Sequence, residues 1–173
     1  MIPIYDDNPA LGKPLLVISI IIACIIIWFW QSGLGYQDNN TVITNFGLTP
    51  AAFLGKMQQP GTFLSIFTLF TSMFMHGGFM HLIGNMLYMW IFADNIEDAL
   101  GQTKFIIFYL LSGVGAAMAQ VLMDTSSQVP MIGASGAIGG VLGAYLINHP
   151  NAKVLVLIPF GFFSQLIKIK ALY

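Results

Sequence analysis

Hydrophobic residues in this chain come in long runs, separated by short polar or glycine-containing breaks. Residues 15–30 (LLVISIIIACIIIWFW) carry no charge and close on two tryptophans, the pattern of a helix that crosses a bilayer and ends at its interface. Further apolar stretches occupy 79–93, 105–123 and 132–147. Each is near the lower length for a span, and flanking residues extend the helices. The pattern predicts four spanning helices, over about 14–31, 78–99, 103–123 and 133–149. Residues 154–173 are apolar but interrupted by Pro159 and Gly161, with Lys168 and Lys170 near the end. This stretch reads as an interfacial segment leading towards a further span. The outer loop, 32–77, contains Asn39-Asn40, Pro50, Gly55 and Pro60-Gly61, then FLSIFTLFTSMF. A loop of that length without structure is unusual, so short helices lying in the outer interface are expected.

Composition supports a membrane solvent. The chain is 57% hydrophobic and only 8% charged, where soluble domains carry about a quarter charged residues. A net charge of −1 offers no basic surface, which argues against nucleic acid as a partner. Cys24 is the single cysteine, so a disulfide within the chain is impossible and a thiolate metal site improbable. A cleavable signal peptide fits the first run poorly, because Asp6 and Asp7 outnumber Lys13 and no small-x-small cleavage pattern follows. With the N-terminus in the cytoplasm, Lys13, Lys104 and Lys153 fall inside and only Lys56 outside. The reverse orientation misplaces three lysines. The expectation is a multi-pass integral protein, as of a bacterial inner membrane, with a cytoplasmic N-terminus.

Depth brings three polar residues together. The second span starts outside near Gly78, so His81 and Asn85 fall in its first two turns. Four residues apart, they share one face. The fourth span also starts outside, near Gly133, which puts Ser135 in its first turn. Polar groups inside a membrane are costly unless satisfied, so they mark a functional cavity by default. Serine could attack an acyl carbon while Asn, His and a backbone N–H hold the oxyanion. The plainer readings are structural. A serine in a spanning helix commonly bonds its own i−4 carbonyl or packs at a helix contact, and Asn85 and His81 could be interhelical glue. The stripes Gly136-x-x-x-Gly140 and Gly139-x-x-x-Gly143 read as close-packing surfaces. His76 and His81 are five apart, straddle Gly77-Gly78 and lack an H-E-x-x-H context, so no metal site is expected.

The motifs HGGFMHLIGN (76–85), NIEDALG (95–101) and GASGA (133–137), in this order and spacing, closely resemble those of the rhomboid intramembrane serine proteases. The resemblance implies an all-α, polytopic helical bundle, with four of an expected six or more spans present. It implies an endopeptidase that cuts transmembrane segments of other membrane proteins within the lipid bilayer, without a cofactor. By the match, Ser135 is the nucleophile, and His81 and Asn85 line the oxyanion hole. Gly133 and Gly136 flank the serine, and Glu97 is a structural acid near the site.

One departure stands against these matches. The family's general base is a histidine on the sixth span, and the histidines here are His76, His81 and His149. His149 lies fourteen residues beyond Ser135, about 21 Å along a helix, whereas a base must come within about 3 Å. The chain therefore reads as a single rhomboid-like domain over 1–173, incomplete at its C-terminal side and inactive by itself. An apolar tail ending in KIKALY favours that reading over a pseudoprotease that binds membrane helices without cutting them. A channel or transporter ranks third, since no charged residue lies mid-span to line a pathway.

Overall fold

A computed structural model describes residues 1–57, 64–160 and 163–171, with no account of the side chains of Phe160 and Phe163. Pro60-Gly61 and Gly161, read above as chain breaks, lie outside the described residues, as do 172–173 of the KIKALY tail. Four long helices form the body: α1 (Leu15–Ser32), α5 (Phe79–Leu100), α6 (Gln102–Met123) and α7 (Ser135–Asn148). Their bounds follow the apolar runs. Between α1 and α5 come α2 (Tyr36–Phe46), α3 (Pro50–Phe53), α4 (Ser65–Thr71) and a 3-10 turn (Ser72–Phe74), so the described part of the long loop holds short helices.

α5 is the centre of the bundle, with α1, α6 and α7 packed on it. Val17, Ile20 and Cys24 of α1, Met89 and Ile96 of α5, Phe105 and Tyr109 of α6, and Val141 and Tyr145 of α7 form one buried cluster. Outside it, Ile22, Ile26, Phe29, Trp90, Ile107 and Leu111 are exposed. Large apolar side chains on several helices suit a lipid solvent. Glu97, in the last turn of α5, is buried. Its carboxylate accepts the backbone N–H groups of Leu16 (3.0 Å) and Val17 (2.9 Å). α1 follows Pro14 and has no side-chain cap of its own, so this acid satisfies orphan donors at the start of the first apolar helix.

One expectation needs correction. The bundle is mostly helical but not all-α: a three-stranded antiparallel sheet joins β1 (Ile2–Asp6), β2 (Lys153–Phe160) and β3 (Phe163–Lys170), in the order β1-β2-β3. The stretch read as an interfacial segment is a hairpin through its described part. The reason is a period of two. Val154 and Val156 are buried, and Lys168 and Lys170 alternate with the less exposed Ile167 and Ile169, a β-branched pattern suited to a half-covered sheet. On the number of spans, length and composition establish two or three. α1 and α6 are each long and apolar enough to cross a membrane, and α4 with its 3-10 turn plus α5, bent by 81°, makes a third candidate. α7 has 14 residues, about 21 Å of rise against a hydrocarbon core of about 30 Å, so four crossings exceed what length and composition establish.

Candidate active site

The site lies where α5 and α7 begin. Ser135 is the first residue of α7. The first helical bond of α7 runs from Ile138 N–H to Ala134 C=O, so the N–H groups of 135–137 have no intrahelical acceptor. The approach to this helix is fixed from the loop. Leu48 and Met131 exchange backbone hydrogen bonds (3.0 and 2.8 Å), and Gly133 N–H donates to Ser72 C=O at 2.8 Å. Gly133 has φ +122°, a conformation that disfavours any side chain. A Cβ there would also stand 2.7 Å from His81 Nε2. Glycine at this position is what lets the chain pass against the histidine.

His81, Asn85 and Ser135 line one open cavity of about 360 Å³, with Gly84, Tyr88 and Gly139 among its other walls. The structure thus brings together the three residues that depth and helix face had joined. Ser135 is exposed, and its hydroxyl has no hydrogen-bond partner among the described residues. Ser19, by contrast, donates to Leu15 C=O at 2.7 Å, the back-bond expected of a structural serine. Ser135, at the first position of α7, has no carbonyl of its own helix four residues back to bond. On its other side Ser135 borders a second cavity, of about 210 Å³, with Ser72, Gln120 and Gly133.

Asn85 is 8% exposed, and its amide Nδ2 is buried without a partner among the described residues. Leaving such a donor unsatisfied costs about 1–3 kcal/mol. Asn85 itself lines the cavity that Ser135 borders. His81 is exposed, and its Nδ1 accepts a long bond from Gly77 N–H (3.5 Å). That bond leaves Nε2 to carry the proton and donate.

The remaining site residues divide. Gly136 packs against α6: a Cβ there would stand 2.8 Å from that of Ala116. Gly140 meets Ser112 in the same way, while added Cβ atoms at Gly139 and Gly143 meet nothing within 4 Å. Only one of the two stripes packs a helix pair among the described residues. Glu97 is not near the site. It lies twelve residues after Asn85, about 18 Å along α5, at the opposite end. His149 is there as well, beside Asn8 (3.0 Å). Among the described residues no group of His, Cys, Asp and Glu could hold a metal ion.

Sequence reasoning passed over His76 except as a metal ligand. It is buried, both ring nitrogens lack partners among the described residues, and it packs edge-on to His81 with centroids 5.2 Å apart. Its backbone N–H donates to buried Gln31 Oε1 (3.2 Å), tying α1 to the bend before α5. The signal available was Gln31 itself, a polar residue placed just beyond an apolar run.

A family model described as the Rhomboid domain matches residues 64–173, more than half of the chain. RHOMBOID-like protein 5 of Arabidopsis thaliana is 35% identical over 78 residues, covering 45% of this chain and 25% of that protein. Presenilin-associated rhomboid-like protein A, mitochondrial, of Danio rerio is 33% identical over 140 residues, 77% of this chain and 37% of that protein. Rhomboid protease GluP of Bacillus subtilis is 29% identical over 146 residues, 84% of this chain and 27% of the relative. The chain thus spans between 25% and 37% of the length of these curated relatives. With well over half of its residues under that one domain model, this chain is a member of the rhomboid family.

Proposed function

We propose that this protein supplies the nucleophile and oxyanion hole of an intramembrane serine endopeptidase that cuts transmembrane segments. The observation that carries the reading is the buried, unpartnered Nδ2 of Asn85 in the cavity of Ser135. Ser135 Oγ attacks the scissile carbonyl carbon as its proton passes to a base. The oxygen gains negative charge within reach of Asn85 Nδ2, His81 Nε2 and a free N–H at the start of α7, where the helix dipole adds to the stabilisation. Collapse of the tetrahedral intermediate expels the amine, which takes up the proton, and water then releases the acyl group from Ser135. Gly133 and Gly136 keep the approach narrow on both sides of the nucleophile.

In this proposal α1, the bent pair, α6 and α7 all cross the bilayer within one domain, and the N-terminus is cytoplasmic. The lysines support that orientation. Lys13, Lys104, Lys153, Lys168 and Lys170 lie at the end where α1 and α6 begin and α7 finishes, while Lys56 reaches Thr125 at the other end (2.7 Å). A specific observation favours a second reading, a pseudoprotease: no described side chain hydrogen-bonds Ser135 Oγ to take its proton. The resemblance places that base on a further helix. The open Gly139 and Gly143 face beside Ser135 leaves room for one.

Cleavage of a single-span reporter in liposomes separates the two. Residues 1–173 should cut it at no measurable rate, since a positioned base contributes about 10²–10⁴-fold. The chain carried on through its natural downstream residues should cut it. Ser135-dependent cleavage by 1–173 alone would overturn the assignment of the base, and no cleavage by the longer protein would favour the pseudoprotease.

A further inference from the structure

His81 is exposed in the first turn of α5, and a side chain so placed must give up rotamer freedom to hold one setting. Its ring has two settings related by a half-turn about the Cβ–Cγ bond. In the observed one Nδ1 meets Gly77 N–H and Nε2 stands beside Gly133. In the other, ring carbons take both places and no donor is aimed at the oxyanion. The Gly77 bond, at 3.5 Å, is too long to decide between them by itself, and Gly133 brings no side chain. A further contact has to make the choice.

His76 supplies it. The side chain is 2% exposed, and both ring nitrogens are buried without partners among the described residues. Unmet buried polar groups weaken a fold, and a phenyl ring would occupy similar space without them. Packing therefore does not account for an imidazole here. The backbone of His76 is clamped from both sides by Gln31, which is buried near the end of α1. His76 N–H donates to Gln31 Oε1 (3.2 Å), and Gln31 Nε2–H donates to His76 C=O (3.4 Å). Held in this way, the ring lies edge-on to His81, with centroids 5.2 Å apart and planes at 66°. In surroundings with little water, the dipole of one imidazole orients its polar neighbour. A phenyl wall would leave the two settings of His81 nearly equal in energy, whereas a polar ring separates them. Taking His81 to donate to the oxyanion as proposed, we infer that His76 is a positioning residue, whose buried imidazole holds His81 in the setting that turns Nε2–H to the cavity.

His76→Phe tests this, because it keeps a ring and removes the dipole. The variant of residues 1–173 should melt in detergent no lower than the wild type. Histidine ¹⁵N NMR should show His81 as the Nε2–H tautomer alone in the wild type. In His76→Phe it should show both tautomers, since a flipped ring loses the Gly77 bond that fixes the proton. In the protein extended through its natural downstream residues, His76→Phe should lower kcat about tenfold with KM unchanged, as a donor is misplaced rather than lost. Added to His81→Ala it should cause no further loss, because both changes act through one side chain. Both tautomers in the wild type, an unchanged His81 spectrum in His76→Phe, a lowered melting temperature or a full additional loss on top of His81→Ala would each overturn the inference. If the extended wild type does not cleave at all, the proteolytic reading fails, while the His81 spectrum still decides whether His76 holds that ring.

Discussion

Ser135→Ala is expected to abolish cleavage of a single-span reporter by the protein extended through its natural downstream residues, and Asn85→Ala to slow it about 10²–10³-fold. The two effects differ in kind. Without the hydroxyl no acyl-enzyme forms, so nothing remains for the oxyanion hole to stabilise. Without the amide the chemistry survives, but one donor aimed at the developing charge is lost, worth about 2.7–4 kcal/mol in comparable oxyanion holes. Because Asn85 Nδ2 has no partner among the described residues, its removal should spare the fold, and the loss should fall on kcat rather than on KM. His149→Ala, at the far end of α7, should leave the rate nearly unchanged. Rates with reconstituted protein and reporter check all three. A loss for His149→Ala as large as that for Asn85→Ala would mean that the chemistry is at the other end of the bundle.

Gly140→Leu should damage folding strongly, and Gly143→Leu should not. Three residues apart on α7, these glycines meet opposite surroundings. A Cβ at Gly140 would stand 2.3 Å from Ser112 Oγ and 2.4 Å from Ser112 Cβ, whereas one at Gly143 meets nothing within 4 Å. Overpacking a close contact costs about 1–3 kcal/mol when side chains can shift. Here the obstacle is the root of a neighbouring side chain, so α6 and α7 must separate. In open space leucine instead removes a helix-interior glycine, a gain of up to about 1 kcal/mol. Gly136→Leu should resemble Gly140→Leu, because Ala116 is 2.8 Å from its added Cβ. Thermal unfolding of the 173-residue chain in detergent reads the contrast. Equal melting temperatures for Gly140→Leu and Gly143→Leu would remove the packing role of the first stripe.

The helices were legible because their runs are long and their ends are marked: Pro14 before α1, Gly78 before α5, Gly101 between α5 and α6. The polar trio was legible for a related reason. An i, i+4 spacing and a common depth require only helix geometry, and the cavity joining His81, Asn85 and Ser135 follows from them. Three features were hidden. In KVLVLIPF nearly every residue is apolar, so the period of two that buries Val154 and Val156 does not show as alternation. Gly136 and Gly139 have the same local pattern, and only the position of α6 decides which one packs. The 81° bend ahead of α5 is held to α1 by Gln31, which bonds the backbone at His76 across 45 residues, a contact that no local pattern encodes.

The central claim is that Ser135 is a nucleophile with its oxyanion hole already in place. It is tested most directly by treating the extended protein, in detergent, with a fluorophosphonate and mapping the modified residue by peptide mass spectrometry. The account predicts a single phosphonyl adduct on Ser135, absent in Ser135→Ala and slowed in Asn85→Ala, because the phosphonyl oxygen occupies the oxyanion position. An adduct on another residue, or a protein that cleaves the reporter while Ser135 stays unmodified, would contradict it.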